Sequence, residues 1–173
     1  MELDKTVTIS KAFGILLMVL CHAEVFSPVR AFVATFHMPL FFFFAGYCFK
    51  DKYLQDSKGF VVKRIKGLYY PFVKYGLFFL ALHNILFYLN IYNDVYGLGK
   101  FTSHLYTPIE FVKNGFLIVT SMQGQERLIG GYWFLHDLFF ASLIAFACFK
   151  IVKSVKVGGA IIFTLTAIFF IID

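Results

Sequence analysis

Apolar residues arrive in long runs separated by short basic or aromatic connections. Five runs reach the ~17–25 residues a helix needs to cross a bilayer: roughly 7–26, 31–49, 68–92, 131–152 and 157–172. A sixth apolar stretch, 109–120, is short and carries Lys113 and Asn114, so an interfacial or re-entrant segment is expected there. A count of six spans follows only if that stretch also crosses. The pattern predicts an all-α fold, a polytopic transmembrane helical bundle of about five spans in one membrane domain over 1–173. Composition points the same way: 60% of residues are hydrophobic and 15% charged, with 25 Phe, against about 45–50% and about 25% in soluble domains. A cytosolic enzyme, a disordered tail and a disulfide-stapled secreted module are thereby excluded.

Charge adds orientation. The formal net charge of +6 comes from basic residues placed between apolar runs, with no aromatic-basic groove pattern, so membrane lipid rather than nucleic acid is the expected partner. With five spans and a cytoplasmic N-terminus, the inner side holds 11 Lys and Arg, among them the cluster Lys50, Lys52, Lys58, Lys63, Arg64 and Lys66. The outer side holds 4: Arg30, Lys100, Lys113 and Arg127. Spanning 109–120 would move Lys150, Lys153 and Lys156 outside and spoil this asymmetry. Asp173 then follows an apolar run on the outer side with no polar tail, so the chain reads as stopping early. The first run lacks a small-x-small cleavage site and is expected to be a retained span rather than a signal peptide. Cys21, Cys48 and Cys148 show no CxxC spacing, which supports neither a disulfide framework nor a zinc site.

Ionisable groups inside apolar runs are costly and mark functional positions. Lys11 and His22 are eleven residues apart, about three helical turns, which puts them on one face with a rise of about 16 Å. His37 lies at the outer end of the second run at a depth similar to His22, and His136 and Asp137 lie near the outer end of the fourth, while His83 and Asn84 sit deeper in the third. These side chains could line a polar cavity. The same residues also fit a plainer arrangement, with Lys11 snorkelling to headgroups and His22 hydrogen-bonded to a neighbouring helix. Histidine suits proton transfer near neutral pH; no HxxxH or HExxH spacing supports a metal. The basic cluster around Lys63, Arg64 and Lys66 suits a phosphorylated ligand and equally suits topogenic charge beside anionic lipid. No GxGxxG, P-loop or GxSxG sequence is present.

Four motifs in order carry a resemblance. Lys11-Ala-Phe-Gly-Ile-Leu-Leu-Met-Val-Leu-Cys-His22 resembles the first-helix motif of acyltransferase family 3, integral-membrane O-acyltransferases with a basic residue, ten intervening residues and His. Phe36-His-Met-Pro-Leu-Phe-Phe-Phe-Phe-Ala-Gly-Tyr47 resembles its second-helix signature. Lys63-Arg-Ile-Lys-Gly-Leu-Tyr-Tyr-Pro71 resembles its basic segment before Pro, and Tyr132-Trp-Phe-Leu135 its later WFL motif. The closest flavour is the group of fucose 4-O-acetylase-like and capsule-polysaccharide-modifying enzymes. The chain departs from the pattern at Thr8, Ala12, Ala45 and Gly67, the last standing where the family has a second Arg. Family members usually have about twice as many helices, so the resemblance covers an N-terminal half.

The resemblance implies transfer of an acyl group, usually acetyl, from acetyl-CoA to a hydroxyl of a sugar or surface polysaccharide in the bacterial inner membrane. It implies His22 as catalytic base, Lys11 as its basic companion and His37 as a further site residue, with Arg64, Lys63 and Lys66 on the acyl-CoA phosphates. Acyl-CoA is the donor substrate and no cofactor is bound. Partners are then acyl-CoA, a glycan acceptor, lipid, and a second chain or further C-terminal helices. Two other readings stay open: a truncated, inactive or partner-dependent half of such an enzyme, and a transporter or flippase of lipid-linked saccharide.

Overall fold

A computed structural model describes residues 5–22, 27–92, 104–124 and 126–172, without the side chains of 21, 22, 37 and 165–172. All regular structure among the described residues is helical, as the apolar runs predict. The chain divides into two compact units, Met1–Tyr53 and Leu54–Asp173.

The first unit is a helical hairpin, α1 (Lys5–His22) against α2 (Ser27–Tyr47), and the single turn α3 (Lys52–Gln55) falls at the boundary between the units. Gly14 sits where the helices approach: a Cβ there would stand 3.2 Å from Leu40 Cδ2 and 3.3 Å from Phe41 Cζ. Small residues let apolar helices come close in this way, because packing rather than the hydrophobic effect joins helices in lipid. Within α2, Pro39 has no N–H to give to the carbonyl of Thr35, one turn back, so the His37 turn lies over a weakened stretch of helix. Phe44 is buried and Phe43 exposed, with Tyr47 stacked on Phe43 at 6.1 Å.

The second unit is built around one long helix. Asp56 caps α4 (Ser57–Arg64) by accepting from the Gly59 N–H at 2.8 Å. The chain then widens into a π turn (Ile65–Tyr69) and continues as α5 (Tyr70–Tyr88). Pro71 explains the widening: it cannot donate to the carbonyl of Gly67, and the Tyr70 N–H reaches Ile65 instead. α6 (Pro108–Ser121) starts in a Thr107/Glu110 capping box. It runs back antiparallel along α5, with Ile118 against Gly76 and Leu80 beside Gly115. The Tyr69 hydroxyl ties the far end, donating to Val119 O at 2.6 Å. Met122 and Gly124 then take positive φ, 53° and 73°, and reverse the chain.

A 3₁₀ turn (Arg127–Tyr132) leads into α7 (Trp133–Val152), which packs antiparallel against the π turn, Tyr69 meeting Phe139 and Phe60 of α4 meeting Phe146, and α8 (Val155–Ile172) folds back on α7. Phe72, Leu80, Ile118, Met122 and Phe139 form the core. Among the described residues three helical stretches are long and apolar enough to cross a membrane: Ser27–Tyr47, Ser57–Tyr88 and Arg127–Val152. The first and last expected spans fall in α1 and α8, each of 18 residues. The 14 residues of α6 are about 21 Å long, short of the ~30 Å hydrocarbon core.

Candidate functional site

In the first unit α1 is unbroken from Lys5 to His22, so the helical premise of the Lys11–His22 pairing holds along the backbone. Lys11 is exposed, with its Nζ 3.8 Å from Cys48 Sγ. The side chains of His22 and His37 lie outside the described residues. Their backbone positions follow from the Gly14 contact with Leu40 and Phe41. Measured from that contact, away from Lys11, His22 lies about 12 Å along its helix and His37 about 5 Å along the other. They share one end of the hairpin.

The basic segment is expected in a loop and is found in helix. Asp56 caps the start, and nothing before Gly67 breaks the ladder, so α5 is extended backwards through Lys63 and Arg64. Lys63 and Lys66 are exposed and Arg64 half-buried, its guanidinium 5.0 Å from the Phe60 ring. Phe60 is buried and stacked on Phe146 at 4.5 Å and 17°. The Lys150 ammonium lies 5.9 Å from the Phe146 ring and donates to Ser57 Oγ. One turn beyond Arg64, Tyr69 meets Phe139 at 5.9 Å. Arg64 is therefore level with the stretch between Phe139 and Phe146, the middle of α7, and not beyond that helix's end.

His136 and Asp137 pair with each other, Nδ1 to Oδ1 at 2.7 Å, near the start of α7. Neighbours on a helix point about 100° apart, so this contact turns Asp137 along the helix surface. The His136 ring leans on Phe140 at 4.8 Å.

The most buried polar centre was only half visible in the sequence. His83 and Glu126 are 0% and 2% exposed, and Nδ1 meets Oε2 at 2.9 Å. Nε2 faces the His104 carbonyl at 3.1 Å, an acceptor only, so Nε2 is the donor there. Tyr106 covers the imidazole face, 3.4 Å between ring centres and 5° from parallel. Asn84 closes the next rung, donating to Tyr106 O at 3.1 Å and accepting from Tyr106 N–H at 2.8 Å. With both nitrogens occupied, His83 is a pin joining α5 to the connections either side of α6 rather than a free base.

Glu126 stands in the polar run Gln123-Gly-Gln-Glu126, where no periodicity separates it from a solvated turn. Burial and the Glu126 carboxylate push the phenols of Tyr92 and Tyr106 up, Tyr106 to about 12. On the surface beside them, His104 Nε2 meets Glu110 Oε1 at 2.8 Å. Hydrogen bonds from the Thr107 backbone, His104 and the Thr107 hydroxyl hold the Glu110 carboxyl down at about 2. Among the described residues no group of three His, Cys, Asp or Glu side chains converges as a metal site.

A family model described as an acyltransferase domain matches residues 5–172. No curated protein and no solved structure matches the chain.

Proposed function

The chain belongs to acyltransferase family 3, a family of membrane acyltransferases, and from that premise we propose that it moves acetyl from acetyl-CoA to a hydroxyl of a sugar or cell-surface polysaccharide at the bacterial inner membrane. The observation that carries the reading is the unbroken helix from Lys5 to His22, which keeps Lys11 and His22 on one face. His22 is the base: it takes the proton of the acceptor hydroxyl as that oxygen attacks the thioester carbonyl. The thiolate of CoA leaves and takes up a proton, so the step balances with no further cofactor. Lys11 lies about 16 Å along the helix and acts as a charge at its cytoplasmic end.

Arg64, Lys63 and Lys66 meet the phosphates of the donor. Cations level with the middle of an apolar helix are costly against lipid, and an anionic ligand or a polar cavity offsets that cost. His37 shares the His22 end of the hairpin and serves as a second polar contact for the acceptor. In the second unit His136, held by Asp137 at 2.7 Å, serves as a polar group near the start of α7.

Glycan mass spectrometry with and without the gene tests the activity. An acetyl-sized mass difference on a surface glycan, restored by the gene, is expected. An unchanged glycan profile with loss of lipid-linked saccharide movement would favour a transporter instead.

A further inference from the structure

The proposed donor site has a residue no sequence motif announces. Ser57, Phe60 and Arg64 follow the i, i+3, i+7 spacing of one helix face. Phe60 stacks on Phe146 at 4.5 Å, Arg64 lies against the first ring at 5.0 Å, and Lys150 lies against the second at 5.9 Å. Lys150 also donates to Ser57 Oγ, which fixes its ammonium at the first turn of α4. The nearest acid in sequence, Asp56, has its Oδ1 engaged by the Gly59 N–H at 2.8 Å. Two cations 86 residues apart in sequence are thus mounted on one aromatic pair, about 10 Å apart along the helix.

We propose that Lys150 is a second phosphate contact of the donor site and reads a phosphate group separate from the one met by Lys63, Arg64 and Lys66. Coenzyme A has this chemistry: a pyrophosphate within the chain and a further phosphate on the ribose. The basic segment takes the pyrophosphate, and Lys150 takes the ribose phosphate. An ammonium has three N–H donors, and the bond to Ser57 uses one, so two remain for phosphate oxygens. The inference rests on the acyl-CoA reading above and adds specificity to it.

Binding to the purified full chain in nanodiscs of zwitterionic lipid tests it, with coenzyme A and dephospho-coenzyme A as probes. Lys150→Gln should weaken coenzyme A about tenfold and leave dephospho-coenzyme A unchanged, whereas Arg64→Gln should weaken both. Lys150→Arg should restore the preference, which guards against a folding defect in the Gln variant. Equal binding of both probes by the unmodified chain overturns the proposal, and so does a Lys150→Gln change felt equally by both probes. A third contrary result is a Lys150→Gln effect seen only as lost stabilisation by anionic lipid, which would make the residue a headgroup contact. If Arg64→Gln weakens coenzyme A and Lys150→Gln does not, only this proposal fails. If neither matters, the donor reading fails with it.

Discussion

His83 shows what a buried polar residue does when both of its nitrogens are used. Its partners are a carboxylate at 2.9 Å and a carbonyl at 3.1 Å, under a tyrosine ring. Removing one member strands the other in a dry site, and such a loss costs about 3–5 kcal/mol. His83→Ala should therefore lower the thermal midpoint of the detergent-solubilised protein sharply. Replacing His83 and Glu126 together by Leu should cost less than the two single changes added, a coupling a double-mutant cycle reads directly.

Glu110 makes a pH-dependent prediction of opposite character. Its carboxyl is held at about 2 against an ordinary value of 4.5, so the charged form is favoured in the folded state. The cap is in full force above the ordinary value and is lost as pH falls towards about 2. Protection of the first-turn amides of α6, taken relative to their intrinsic exchange rates, should fall over that window, and Glu110→Gln should remove the dependence. At this scale the sequence shows which residue types lie in apolar runs: His83 and Asn84 stand out. It does not show Glu126, because an acid in a polar turn has no period, and burial there depends on the chain reversal at Met122 and Gly124.

At the scale of elements, hydrophobic runs forecast helices well and their ends poorly. The third run begins near 68 by hydropathy, yet the helix begins at Ser57. An N-cap and a widened turn ahead of Pro71 carry polar residues into the helix, and hydropathy is blind to both. The short apolar stretch near 109–120 becomes α6, whose place is set by glycine contacts with α5. A Cβ on Gly76 would stand 2.9 Å from Ile118 Cγ2, whereas one on Gly115 meets Leu80 Cδ2 at 3.7 Å. Gly76→Ala should push α6 away and cost about 1–3 kcal/mol. Gly115→Ala should be neutral or gain about 0.5–1 kcal/mol from helix propensity. Thermal inactivation of the two variants in the same detergent separates these outcomes.

For the whole molecule, the apolar composition and the four motifs made the helical membrane fold and its family legible without coordinates. What stayed hidden is which distant residues share a level. In the second unit the long helix carries four of its five cations at the Ser57–Lys66 end, beside Lys150, with Lys74 nearer its middle and the His83–Glu126 pin towards the other end. That polarity suits a phosphorylated donor at one end. The chemistry itself is assigned to the first unit, to the histidine that closes α1. Transfer of labelled acetyl from acetyl-CoA to the glycan acceptor, by the active membrane form carrying His22 or His22→Asn, tests this most directly. The Asn variant should lose transfer by a factor of about 10²–10⁴ while still binding coenzyme A. Undiminished transfer by that variant would contradict it.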